Sequence, residues 1–396
     1  MAPSTLRKPI HREKFGSTFS TLRTTTYYDP ASRGPGSHSI RSIAWNPTGH
    51  LIATGSSDRT LRIWNPDRPQ VKNSTELKGH TGSIEHVAWN PTKEAELASV
   101  SLDGSVRIWD VRSKTCTGSI ELGARGLSLC WADDGRLICA GRGDKAEDEA
   151  LLLISVPELR VLATLPQGGQ VNQVLFAPTP TPTSTDTDTE AETVYTLLLA
   201  LGNGAVKLAT WAFSSTATSL TTLHSFQAHT SAALCLSLSP TGRWLATGGS
   251  DAMIMLWDTR EWICRHALSH SAGTVRQVSF SFDGRYLVAA ADEDGEEMDI
   301  VHVESGECVA CVPLAGNQAG VPKAVVTKNG VAKKGEEVVV EDGVGAKGIG
   351  KGLVKVSNVG SVASASCVAW HPQRYWLAYA GEPGGLRVVG AAGGAM

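Results

Sequence analysis

The chain has 396 residues, is 41% hydrophobic and 19% charged, and carries a formal net charge of −3. That composition supports a buried core and gives no whole-molecule field that would draw nucleic acid or a membrane surface. No run reaches the roughly 18 to 20 apolar residues of a spanning helix, and the first residues lack an apolar secretory core, so no membrane partner is expected.

In chain order, Arg7, Lys8, Arg12 and Lys14 make residues 1–18 a basic tail, expected to be flexible and solvated. Residues 19–28 contain Ser-Thr-Leu-Arg-Thr-Thr-Thr-Tyr, a β-prone run. A repeat then begins at Ile43-Ala-Trp-Asn-Pro47, with Gly49 closing a turn and Thr60-Leu-Arg-Ile-Trp64 alternating with period two. The pattern returns at Val87-Ala-Trp-Asn-Pro91 through Ile108-Trp-Asp110, and at Leu236-Ser-Leu-Ser-Pro240 through Leu256-Trp-Asp258. Weaker copies start near Leu129, Val174, Val278 and Val368. The seven anchors are Trp45, Trp89, Trp131, Phe176, Leu238, Phe280 and Trp370, spaced by 44, 42, 45, 62, 42 and 90 residues.

The two long gaps hold low-complexity inserts, 179–192 (Thr, Pro and Asp) and 313–362 (Gly, Lys and Val), both expected to be flexible loops. With these and the first 37 residues set aside, each copy averages about 42 residues, the period of a propeller blade. The expectation is an all-β, seven-bladed propeller over residues 19–390, with 391–396 as a tail. A four-stranded blade cannot cover both its faces alone, whereas seven around an axis cover every face. The last copy supplies three strands, so residues 19–28 are expected to close the ring as the outer strand of blade seven. By this topology the 179–192 insert lies on the bottom of the ring. The 313–362 insert and the acidic loops Asp144–Glu149 and Asp292–Asp299 lie on the top, which is expected to be electrostatically mixed.

The polar positions resemble the structural tetrad of WD-repeat (WD40) proteins. The resemblance implies that a turn Asp bonds a loop His, the His a strand Ser or Thr, and that hydroxyl a Trp indole. It assigns His38, Ser56, Asp58 and Trp64 to blade one, and His80, Ser101, Asp103 and Trp109 to blade two. Blade five keeps His229, Asp251 and Trp257, with Gly249 where the hydroxyl is expected. A His–Asp–Ser set also suggests a hydrolase triad. Against that, the set recurs in register with a constant Asp-to-Trp gap of six, and no Gly-x-Ser-x-Gly elbow or phosphate-binding glycine loop occurs. The reading is no catalytic residue, no cofactor and no metal. Cys308 and Cys311 form a lone Cys-x-x-Cys, read as two outer-strand residues on opposite faces rather than half a zinc site.

A more specific resemblance lies in the order of motifs. Arg41-Ser-Ile-Ala-Trp45, Ser83-Ile-Glu-His-Val-Ala-Trp89, Ile108-Trp-Asp-Val-Arg112, Gly202-Asn-Gly204, Thr247-Gly-Gly-Ser-Asp-Ala252, Val275-Arg-Gln-Val-Ser-Phe280 and Val368-Ala-Trp-His-Pro372 follow one another. This series is similar to that of the WD-repeat third subunits of the THO complex, over roughly 19–312 and 363–390. The resemblance implies a nuclear, non-catalytic scaffold of a THO/TREX-type assembly that couples transcription to mRNA packaging and export. It implies docking on the large helical THO subunit and contact with mRNP proteins. RNA contact would be indirect, or made by the Lys-rich insert with Lys323, Lys328, Lys333 and Lys334. The rival readings are another nuclear WD adaptor, serving a histone methyltransferase or ubiquitin ligase, and a propeller enzyme, which needs carboxylates or histidines clustered at a channel mouth.

Overall fold

A computed structural model describes residues 9–27, 39–68, 74–143, 149–177, 193–213, 218–269, 273–292, 297–314, 365–381 and 385–390. The chain opens with α1 (Arg12–Phe19) and β1 (Thr24–Tyr27). Blade one follows as β2 (Ile40–Trp45), β3 (Ile52–Ser56), β4 (Thr60–Trp64) and β5 (Thr75–Lys78). Blade two is β6 (Ile84–Trp89), β7 (Glu96–Ser101), β8 (Ser105–Asp110) and β9 (Thr115–Glu121). Blade three is β10 (Gly126–Trp131), β11 (Leu137–Arg142), β12 (Ala150–Ser155) and β13 (Arg160–Pro166). Blade four is β14 (Val171–Ala177), β15 (Thr193–Leu201), β16 (Ala205–Phe213) and β17 (Thr218–Gln227). Blade five is β18 (Ala233–Leu238), β19 (Trp244–Gly249), β20 (Ile254–Asp258) and β21 (Ile263–Leu268). Blade six is β22 (Val275–Phe280), β23 (Tyr286–Ala291), β24 (Glu297–His302) and β25 (Glu307–Pro313). Blade seven is β26 (Ala365–Trp370), β27 (Leu377–Gly381) and β28 (Leu386–Val389), completed by β1.

Each blade is an antiparallel meander, and the first strand of each packs on the first strand of the next, with β26 returning to β2. Seven apolar clusters result, one between each neighbouring pair of blades. Each blade face is therefore half of a core, and the ring leaves no face uncovered. The turns follow from the residues. Gly49 holds a φ of 77°, and a Cβ there would lie 2.2 Å from the His371 ring, so only glycine fits this turn beside blade seven.

Closure rests on β1, which pairs antiparallel with β28 from Thr24↔Val389 to Tyr27↔Leu386. The closing segment is therefore shorter than residues 19–28. Residues 12–18 differ from the flexible tail expected there. They form most of α1, whose Phe15 and Phe19 are buried in the core between blades six and seven. Phe15 stacks on Tyr286 with ring centroids 3.7 Å apart, and Phe19 meets Trp370 edge-on at 5.8 Å. The Gly16 backbone approaches so closely that an added Cβ would lie 2.4 Å from the Val309 carbonyl oxygen. Gly16, Ser17 and Thr18 are poor helix formers, so α1 owes its order to this burial rather than to propensity. The inserts 179–192 and 313–362 lie outside the described residues, apart from Pro313, which ends β25, and the buried Leu314. The expected tail 391–396 lies outside them as well.

Buried polar networks and candidate interaction surfaces

In blade two the His80 side chain is fully buried, and its Nδ1 lies 2.8 Å from Asp103 Oδ2. Its Nε2 lies 2.7 Å from Ser99 Oγ, to which Trp109 Nε1 donates over 2.8 Å. A neutral His80 donates Nδ1–H to the Asp103 carboxylate, so its Nε2 accepts from the Ser99 hydroxyl, whose oxygen in turn accepts the indole N–H. Burial alone would raise the Asp103 carboxyl. Hydrogen bonds from Ser105, the Thr81 backbone and His80 outweigh it and hold the group below the usual carboxylate range. Burial pulls the His80 imidazole down, against the pull of Asp103. Blade five repeats the network with His229, Asp251 (2.9 Å), Thr247 (2.8 Å) and Trp257 (3.2 Å).

The strand hydroxyl therefore stands two residues earlier than expected. Ser99, not Ser101, joins His80 to Trp109, while Ser101 Oγ accepts from the Asp103 backbone N–H. In blade one Trp64 donates to Thr54 Oγ1 at 3.0 Å, not to Ser56, whose buried hydroxyl has no partner among the described residues. Blade five is not missing its hydroxyl at Gly249, since Thr247 supplies it. A shift of two keeps a side chain on the same strand face, so alternation cannot distinguish the two positions. His38 lies outside the described residues, and Asp58 accepts two bonds from Arg62, of 3.1 and 2.7 Å. Ser99 is fully buried and Thr247 likewise, so neither hydroxyl can meet a substrate despite the triad-like order.

Two further networks escape a reading of hydrophobic period. Trp45, Trp89 and Trp131 each donate an indole N–H to the preceding blade, to the carbonyls of Ala369, Ala44 and Ala88 at 3.1, 3.0 and 2.9 Å. Three residues before each anchor stands a polar or thiol side chain: Ser42, His86, Ser128, Gln173, Cys235, Gln277 or Cys367. Ser42, Gln173 and Gln277 accept from the backbone N–H groups of Val87, Leu236 and Val368 in the next blade. Ser128, Cys235 and Cys367 donate to the carbonyls of Val171, Val275 and Ile40. This belt stitches the inner strands around the axis. The sequence signal was available, because the position is hydrophilic or thiol in all seven copies.

Immediately before the belt, every inner strand carries a β-bulge, which leaves Arg41, Glu85, Leu127, Asn172, Leu234, Arg276 and Ser366 unpaired. These positions ring the axis at one mouth. Arg276 is held by Asp292 at 2.7 Å, and Glu85 adds a further carboxylate, so this mouth is electrostatically mixed. Elsewhere several exposed arginines are paired with acids, among them Arg12 with Glu307, Arg112 with Glu94 and Arg243 with Glu304.

Cys308 and Cys311 do not lie on opposite faces. β24 pairs Val301 with Cys308 but Ile300 with Ala310, so Val309 is bulged out and the alternation resets. The two sulfurs and the Asp299 carboxylate converge, with all ligand atoms within 4.8 Å of one another.

Four segments, 31–65, 71–110, 220–258 and 262–296, match the WD domain, G-beta repeat. The chain is 30% identical over 276 residues to THO complex subunit 3 of Arabidopsis thaliana, covering 69% of this chain and 79% of that protein. It is also 30% identical over 262 residues to the WD repeat-containing protein AAC3 of Dictyostelium discoideum, covering 61% of this chain but 51% of that one. Similarity to the ribosome biogenesis protein YTM1 of Meyerozyma guilliermondii is 34% over 132 residues, or 32% of this chain and 27% of that protein.

Proposed function

We propose, from the premise that this chain belongs to the WD-repeat family of THO complex subunit 3, that it is a nuclear scaffold coupling transcription to mRNA packaging and export. The observation that carries this reading is the alignment with THO complex subunit 3, which spans 276 residues. Four WD-matching segments of 35 to 40 residues cannot account for that length, so the weakly patterned blades take part in the likeness. The shorter alignment with YTM1 covers a third of the chain or less, as shared blade grammar alone would give.

In this reading the propeller acts by presenting surfaces. Its triad-like groups are structural, because the hydroxyls are buried and each is spent on a Trp indole. Its partners are the other THO subunits, above all the large helical one, and mRNP proteins. RNA contact is indirect or made through the Lys-rich insert. The formal net charge of −3 and the pairing of Arg12, Arg112 and Arg243 with acids support this, since phosphate binding asks for unpaired cations in a stripe. Affinity purification of the tagged chain from nuclei tests the proposal. THO subunits should copurify, and crosslinking mass spectrometry should join the propeller to the large subunit. A preparation that brings down neither THO subunits nor mRNP proteins overturns it.

A further inference from the structure

Three blades carry a cysteine at the same place on the outer strand, and only one of them builds a cluster around it. Cys116, Cys264 and Cys308 stand opposite Trp109, Trp257 and Val301, each immediately before a bulged residue. Each thiol donates to the carbonyl two residues on, at Gly118, His266 and Ala310, over 3.2 to 3.4 Å. The cysteine is thus a device for closing the bulge. Three residues further along the blades differ. Blade two has Ser119 opposite Arg107, blade five has Ala267 opposite Met255, and blade six has Cys311 opposite Asp299. Blade six also replaces the large indole by Val301, which takes less room beside the cysteine.

The bulge at Val309 places Cys308 and Cys311 on one face, and the cross-strand pair brings Asp299 onto it. Cys311 Sγ and Asp299 Oδ1 are 3.5 Å apart. A tetrahedral Zn²⁺ with a metal–sulfur bond of about 2.3 Å and a metal–oxygen bond of about 2.1 Å needs roughly 3.6 Å between those atoms. The donors are two soft and one hard, as suits a borderline cation rather than Mg²⁺ or Ca²⁺. Cys311 is exposed and the other two half-buried, so the site opens to solvent. Beside the Cys308 thiol, partly buried and close to the Asp299 carboxylate, the Cys311 thiol is pushed well above the ordinary range. A divalent cation reverses that preference, because its charge stabilises every ligand in the ionised form.

We propose that Asp299, Cys308 and Cys311 form a rim site on blade six for a borderline divalent cation of the Zn²⁺ class, with water in the fourth position. Binding forms two metal–sulfur bonds and one metal–oxygen bond, and releases the two thiol protons to solvent. The test uses the full chain, freshly reduced so that its thiols are free, with Cd²⁺ as an optical probe and Zn²⁺ as competitor. One Cd²⁺ per chain should give an ultraviolet thiolate-to-metal charge-transfer band, displaced by Zn²⁺. Cys308→Ser and Cys311→Ser should each abolish the band, and Asp299→Asn should weaken Cd²⁺ binding by roughly tenfold or more. Cys116→Ser and Cys264→Ser should leave it unchanged. Metal-free thermal unfolding checks that every variant is folded, and Asp299→Asn keeps the test open if a serine variant is not. Absence of the band, or its survival in a folded Cys308→Ser/Cys311→Ser protein, overturns the proposal.

Discussion

At the residue scale, one hydroxyl serves two buried partners in blades two and five. Removing Ser99 leaves both the Trp109 indole N–H and His80 Nε2 unpaired, whereas removing Ser101 frees one backbone N–H. Ser99→Ala should therefore cost about 1–3 kcal/mol in urea unfolding, and distinctly more than Ser101→Ala. Equal costs would refute the assignment of the network. Histidines give a second prediction. Burial holds His86 down at about 4 and His371 at about 3, against an ordinary value of 6.5. The folded chain keeps these rings neutral, while the unfolded chain protonates them. Their contribution is present above pH 6.5 and is lost as pH falls from there toward about 4 and then 3. The slope approaches about 1.4 kcal/mol per pH unit for each imidazole kept neutral. His86→Gln should flatten the upper part of that decline in a pH series of denaturation midpoints.

At the element scale, the N-terminal segment contains two devices. α1 is pinned by Phe15, by Arg12 on Glu307 and by the Tyr286 hydroxyl donating to the Ile10 carbonyl. β1 supplies the fourth strand of blade seven. Gly16→Val forces the helix off the Val309 carbonyl and should act as an undocking of α1 alone. Phe15→Ala should cost about 3–5 kcal/mol, or less where the helix detaches before the ring opens. Removing residues 1–22 should lower the thermal midpoint, and removing residues 1–27 should lower it distinctly further. Similar midpoints for the two truncations would show that β1 does not close the ring. The β-prone run made the closing strand legible beforehand. The helix was not legible, because an eight-residue segment with Gly, Ser and Thr at its centre has no helical signature apart from the two phenylalanines.

At the scale of the whole molecule, the ring divides its core into seven interfaces rather than one centre. Insertions are tolerated wherever they leave an interface intact. β14 and β15 are hairpin neighbours with Ala177 opposite Thr196, so the pairing does not require residues 178–192. Replacing these residues with a short Asn-Gly turn should leave a single cooperative unfolding transition with a midpoint within a few degrees of the parent. A split transition or a large fall in midpoint would show that the insert is part of the fold.

The sequence by itself determined the number of blades, the order of strands and turns, and the ring they close. These rest on local chemistry that recurs along the chain: period-two strands, turn residues such as Pro, Asp and Gly after the anchors, and anchors 42 to 45 residues apart wherever no insert intervenes. It also pointed to His80, Asp103 and Trp109 and to His229, Asp251 and Trp257, which meet in the buried networks of blades two and five. Only the tertiary structure decided which hydroxyl joins them, since Ser99 and Ser101 share a strand face and differ only in which neighbour they meet. It decided the belt between blades and the order of α1, both of which exist only against other blades. It also brought Cys308 and Cys311 onto one face, because a bulge adds one residue to one strand and is fixed by the partner strand's register.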